Sequence, residues 1–138
     1  TENNITIVDD YAHHPSEVDA TINTALAGWN LNNLIVVFQP HLYSRTKEFQ
    51  KEFSEVLSKA DIVILTDIYP AREKEIEGVS SNLILDKIDD SKSFLVSKDK
   101  VAKKISNICS RDDMIIVMGA GDIRNVTDEI YKAIIDKK

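Results

Sequence analysis

Residues 33–38 read NLIVVF: five consecutive apolar side chains follow Asn33, three of them β-branched, with no polar position between them. A strand with one face in water alternates apolar and polar residues. An unbroken run instead marks a strand covered on both sides, the habit of parallel sheets with helices above and below. DIVILTDI (61–68) and MIIVMGAGD (114–122) repeat the pattern, and ITIVDD (5–10) and SFLVS (93–97) are shorter versions of it.

Helical periods fill the gaps. PSEVDATINTALAG (15–28) places Val18, Ile22, Ala25 and Leu26 on one face, with Pro15 in its first turn and Gly28 at its end. SRTKEFQKEFSEVLSKA (44–60) carries Phe49, Phe53, Val56, Leu57 and Ala60 at helical spacing. VSSNLILDKI (79–88) reads as a short helix after the loop YPAREKEIEG (69–78). KDKVAKKISNIC (98–109) turns Val101, Ile105 and Ile108 inward, and IRNVTDEIYKAII (123–135) presents Ile123, Val126, Ile130 and Ile134. Five β-α units in one domain over 1–138 predict an α/β fold: a Rossmann-like open, mostly parallel sheet with helices on both faces.

Ligands of such sheets bind beyond the carboxyl ends of the strands. The clusters DDYAHH (9–14), QPHLYSRT (39–46), TDIYPARE (66–73) and GAGD (119–122) follow strands one, two, three and five. Four loops are therefore expected to meet at one edge.

Bulk composition narrows the classes. Net charge is −6 and no Lys/Arg-rich run carries interleaved aromatics, which argues against nucleic acid as a partner. No apolar run approaches the roughly 18 residues that span a bilayer, and no signal peptide is read at the start, so no membrane partner is expected. Cys109 is the one cysteine; in an amphipathic helical pattern it reads as a buried thiol of a reducing compartment, the cytoplasm. Before Arg45 there is no lysine or arginine at all, and His13, His14 and His41 share that stretch.

Each cluster admits a chemical and a plain reading. Asp9 and Asp10 suit Mg²⁺ or a ribose hydroxyl, or one caps the following helix. His13, His14 and His41 lack the helical spacing of zinc ligands, so no metal site is expected; a satisfied histidine, or one meeting an anionic substrate, fits better. Arg45 at a helix start is placed to fork onto a carboxylate or phosphate beside free backbone N–H groups, or else to pair with Asp9 or Asp10. GAGDI lacks the third glycine of dinucleotide binders, and no G-x-x-x-x-G-K-[ST] occurs anywhere. Close packing is the simpler role for its glycines. Tyr69 and Arg72 are rim candidates, with plain surface residues as the alternative. Asp9, Asp10 and Asp67 together suggest a second reading, a receiver-like phospho-acceptor signalling domain. The Lys-Pro that such domains carry after the fifth strand is absent.

Taken together, DDYAHHPSEV, FQPHLYSRT, DIYPAREKEIEGVSS and MGAGDI resemble the C-terminal domain of the Mur ligase family, in order and spacing over nearly the whole chain. The doubled histidine and QPH favour its alanine-adding member. The resemblance implies a domain of a larger ATP- and Mg²⁺-dependent ligase, inactive alone, that serves peptidoglycan synthesis. Its substrates would be UDP-N-acetylmuramate, L-alanine and ATP, joined through an acyl phosphate. The missing domains of its own chain would be its partners and would hold most of the ATP site. Carried over by motif, Asp10 would face the nucleotide. Tyr11, His13 and Arg45 would line the amino acid and acyl centre, Arg45 gripping a carboxylate and His13 donating to anionic oxygen. His14 and His41 would support them. Many members carry arginine where Leu42 stands here, and Arg72 is a candidate to supply the missing donor.

Overall fold

In the computed structural model, which describes residues 3–137, the apolar runs form five strands. They are β1 (Thr6–Asp10), β2 (Leu34–Phe38), β3 (Ile62–Leu65), β4 (Ser93–Leu95) and β5 (Met114–Met118). All four pairings are parallel, in the order β1-β5-β2-β3-β4. Thr1, Glu2 and Lys138 of the expected domain lie outside the described residues.

The helices are α1 (Pro15–Gly28), α2 (Tyr43–Leu57), α3 (Asn82–Leu85), α4 (Val101–Ile108) and α5 (Val126–Asp136). Crossovers between parallel strands are right-handed, so reversing direction along the sheet switches face. From β1 to β4 the chain advances in one direction and lays α1, α2 and α3 on one face. The return from β4 to β5 puts α4 on the other, and α5, which follows β5, packs there beside it.

Successive strand residues point to opposite faces. Val36 and Phe38 therefore join Val18, Ile22, Phe53, Leu57 and Ile84, while Ile35 and Val37 join Val101, Ile105, Ile123 and Ile130. Every residue of β2 is fully buried, as NLIVVF requires. Sequestering one such side chain is worth roughly 1.5–3 kcal/mol, which makes this central strand costly to disturb. No helix among the described residues is long and apolar enough to cross a membrane.

Several details differ from expectation, among them the helix read over 79–88, which forms only as α3 (Asn82–Leu85). Leu26 is 44% exposed. At about 100° per residue it sits roughly 70° from the centre of the Val18–Ile22–Ala25 stripe, on the helix flank. In α2, Phe49 has non-helical dihedrals (φ −109°, ψ 17°), a kink that leaves it half-buried. Cys109 is half-buried at the end of α4 rather than fully enclosed. Burial first, then the charge of Asp113, pushes its thiol pKa up, which disfavours a nucleophilic thiolate.

Register sets the height of the site. Asp10, Met118, Phe38, Leu65 and Leu95 stand side by side in one row across the sheet. Each following loop thus leaves from one level. The strand order also overturns the receiver reading, which needs β1 and β3 adjacent. Here β5 and β2 stand between them. At about 4.8 Å per strand, Asp10 and Asp67 leave the sheet about 14 Å apart.

Candidate functional site

The first loop is built as a helix start. Asp10 accepts from the Ala12 amide through Oδ1 (2.8 Å) and from Thr21 through Oδ2 (3.0 Å), which ties the end of β1 to α1. His14 is the N-cap of α1; its Nδ1 accepts from the Ser16 amide at 3.4 Å. Glu17 answers by accepting from the amides of His14 (3.1 Å) and His13 (3.3 Å). This reciprocal capping box leaves His13 displayed before the helix begins. The His14 ring turns to Phe49 of α2, with centroids 4.9 Å apart, so it joins two helices rather than facing the edge.

Four rings then cross the edge in sequence. Tyr11, 63% exposed, meets His13 at 5.5 Å; His13 meets His41 at 5.9 Å; His41 stacks on Tyr69 at 5.7 Å and 13°. The loops after β1, β2 and β3 are joined by this row. His41 and Tyr69 also share an isolated parallel bridge.

Hydrogen-bond partners assign the two histidine tautomers. His13 Nδ1 lies 3.0 Å from the Tyr11 carbonyl, which can only accept, so Nδ1 carries the proton and Nε2 of the neutral ring is an acceptor. His41 Nδ1 lies 3.4 Å from Nη1 of Arg45, which can only donate, so its proton is on Nε2. Neutral His41 therefore offers a donor and neutral His13 an acceptor. His13 donates through Nε2 only as imidazolium, which qualifies the role expected for it. Burial first, then the positive charges of Arg45 and His13, holds the His41 pKa below the ordinary histidine value, against a smaller pull from Glu73.

Arg45 takes part in no ion pair among the described residues. The alternatives expected for it are engaged elsewhere: Asp9 lies 3.7 Å from Arg124, and Asp10 is held as above. The backbone N–H of Ser44 at the start of α2 is not free. It donates to Glu73 Oε1 at 3.1 Å, and the Ser44 hydroxyl donates to Oε2. Arg72 stays exposed, and no hydrogen bond or ion pair among the described residues joins it to the row; its neighbour Glu73 makes the contact.

Sequence reasoning missed Glu73, Gln39, Lys98 and Asp122. Gln39 Nε2 donates to Asp122 (3.0 Å), and Lys98, just after β4, pairs with the same carboxylate at 2.5 Å. These two donors, Lys98 first, keep the Asp122 pKa below the usual carboxylate range. A fifth loop thus reaches the edge, which the rule about carboxyl ends could have flagged. Gln39, Lys98 and Asp122 line, together with Asp67 and Tyr69, a cleft of about 180 Å³. The glycines of GAGD serve close approach. A Cβ on Gly121 would lie 2.5 Å from Tyr69 Cγ and 2.7 Å from Gln39 Oε1, and one on Gly119 would lie 2.7 Å from Ile123 Cγ2. No three His, Cys, Asp or Glu side chains among the described residues are grouped to hold a metal ion.

Residues 1–121 match the family model described as Mur ligase, glutamate ligase domain. Among curated relatives, the UDP-N-acetylmuramate–L-alanine ligase of Agathobacter rectalis is 43% identical over 94% of this chain and 29% of its own length. The enzyme of the same name from Geobacter sp. strain M21 is 41% identical over 90% of this chain and 28% of its own. This chain therefore spans less than a third of the length of these relatives. The UDP-N-acetylmuramate–alanine ligase structure from Thermotoga maritima superposes with a TM-score of 0.74 at 24% identity, over 99% of this chain and 28% of that one. The MurF ligase from Thermotoga maritima, solved in complex with ADP, gives 0.68 at 21% identity, over 98% and 30%. At these identities the two structures speak to the fold.

Proposed function

This chain belongs to the Mur ligase family, and on that footing we propose that it is the C-terminal, amino-acid-side domain of an ATP-dependent ligase. The reaction would join L-alanine to UDP-N-acetylmuramate in peptidoglycan synthesis, in the cytoplasm. The observation that carries this reading is the convergence of His13, His41 and Arg45 on one edge of a chain whose curated relatives bear that enzyme's name.

The residues divide the work by their hydrogen-bonding capacity. Arg45, with no carboxylate partner among the described residues, would fork onto the carboxylate of the amino acid. His41 would donate from Nε2 to an anionic oxygen without needing to be charged. His13 would accept at Nε2 from the amino group, or donate as imidazolium. Tyr11 would close the outer end of the row. Arg72 would reach the anion only if its loop turns inward. Asp10 would offer a nucleotide hydroxyl a shared oxygen, because both of its own are already bonded. His14 would act through the capping box and Phe49.

ATP would supply the energy that activates the acid as an acyl phosphate. This chain has no P-loop, and its described residues group no cage for Mg²⁺. Those sites would belong to the remaining two thirds of a full-length enzyme, and these 138 residues alone would turn over nothing. The test is phosphate release by the full-length protein with UDP-N-acetylmuramate, Mg-ATP and single amino acids. Release that depends on L-alanine supports the reading. Release with another amino acid and not with alanine, or turnover by the isolated chain, overturns it.

A further inference from the structure

Leu42 is the residue between the ring row and α2, and it is held at φ 73°, ψ 135°, a region that L side chains rarely occupy. It is the N-cap of α2, yet its side chain caps nothing. A helix start normally recruits a local Ser, Thr, Asp or Asn. Here the cap comes from 29 residues away, as the carboxylate of Glu73 on the loop after β3. Both carboxylate oxygens are used, one on the Ser44 amide and one on its hydroxyl. These two bonds, the hydroxyl's first, hold the carboxyl below the usual range.

Backbone bonds finish the clasp. Tyr69 N–H donates to the Pro40 carbonyl (2.8 Å) and Leu42 N–H to the Tyr69 carbonyl (2.9 Å), while the Leu42 carbonyl accepts from the Thr46 amide and hydroxyl. Leu42 is thereby fixed on both sides. His41 precedes it and Arg45 stands one turn along, so the direction of both side chains depends on this bend.

We propose that Glu73 is the positioning residue of the His41–Arg45 pair: by capping α2 from the neighbouring loop, it holds the bend that aims both groups at one edge. Because its carboxylate takes the Ser44 amide, that N–H of the helix start is closed to a ligand's anion, which the side chains of Arg45 and His41 would meet. The clasp stands on the geometry alone; its consequence for alanine rests on the function proposed above.

The test has two arms. In the first, amide exchange and ring-to-ring contacts are read by NMR on this chain with Glu73→Ala, Glu73→Gln and Ser44→Ala. Glu73→Ala is expected to speed exchange at Ser44 about fivefold or more, on the scale of a lost helix cap, and to loosen the His41–Tyr69 stack. Glu73→Gln, which keeps one acceptor, should restore much of both. Unchanged exchange and contacts in Glu73→Ala overturn the clasp. If that variant does not fold, Ser44→Ala, which removes only the hydroxyl bond, is read instead at the Glu73 carboxyl, whose pKa should rise toward the ordinary carboxylate value; an unchanged Glu73 titration then overturns the clasp. In the second arm, the full-length protein with Glu73→Ala should show KM for L-alanine raised about tenfold or more while KM for ATP stays within about twofold, and Glu73→Gln should recover part of the loss. An unchanged alanine KM, or an equal loss for ATP, overturns the positioning role. An unsubstituted protein inactive with alanine would sink the functional reading while the first arm still judges the clasp.

Discussion

Arg45 donates from Nη1 to Nδ1 of His41 across 3.4 Å, a long bond that leaves most of the guanidinium's donors uncommitted among the described residues. A planar fork can then meet a carboxylate without first breaking an ion pair. Arg45→Lys keeps the charge and loses the fork, so it should behave nearly as badly as Arg45→Ala. In the full-length protein, KM for L-alanine should rise about tenfold or more for both, near 1.4 kcal/mol per decade. Steady-state kinetics with a lysine variant indistinguishable from the parent would rule out bidentate binding here.

The depressed pKa of His41 has a defined sign in stability. The folded ring sheds its proton more readily than the unfolded one, whose pKa is about 6.5. Its neutral form therefore costs nothing above about pH 6.5, and stability falls as pH drops from there through the lowered folded value. His41→Gln should flatten that part of the profile. Urea midpoints compared at about pH 7.5 and pH 5 would expose it; parallel curves for the two proteins would refute the linkage.

Gly121 is where the last and third loops touch. Gly121→Ala drives a methyl into the Tyr69 ring and the Gln39 amide, and overpacking of this kind costs typically 1–3 kcal/mol. Gly28→Ala is the control, since nothing lies within 4 Å of its added Cβ; at the end of α1 it should be neutral or gain up to about 1 kcal/mol. Equal unfolding free energies for the two variants would contradict the close approach.

At Leu42 the usual ranking of substitutions should invert. Alanine and glycine both remove the side chain, and glycine ordinarily costs more in unfolded entropy. Strain at φ 73° is worth about 1–3 kcal/mol and only glycine relieves it. Leu42→Gly is expected to be more stable than Leu42→Ala by roughly 1 kcal/mol, as read by denaturation. The opposite order would mean that the bend is unstrained.

The fold was legible because its signal is local. LIVVF, IVIL and MIIVM are unbroken apolar runs, and their shortness and β-branched content mark them as strands buried on both sides. The meeting of Tyr11, His13, His41 and Arg45 followed from one rule about carboxyl ends, without any knowledge of side-chain direction. What lay beyond reach depended on pairing across the chain. Glu73 looks like one more acid in an acidic loop until Ser44 is brought to it. Lys98 looks like a solvated lysine until Asp122 arrives from the far side of the sheet. The opposite roles of His13 and His41 rest on what their Nδ1 atoms meet, acceptors in one case and a donor in the other, which no residue pattern encodes. Leu26 failed for a simpler reason: a helical stripe has edges, and spacing alone does not say how wide the buried strip is.

The position of β5 bears on how such a chain is made. Residues 114–118 fill the slot between β1 and β2, although both of those strands are complete by residue 38. During synthesis these two strands would wait with facing edges unpaired while some 80 residues are added. Unpaired edges of that kind invite association with other chains. A ribosome stalled before Met114 would therefore carry an aggregation hazard rather than a smaller stable domain, and the histidines and arginine of the edge would have no common floor until the last strand slid home.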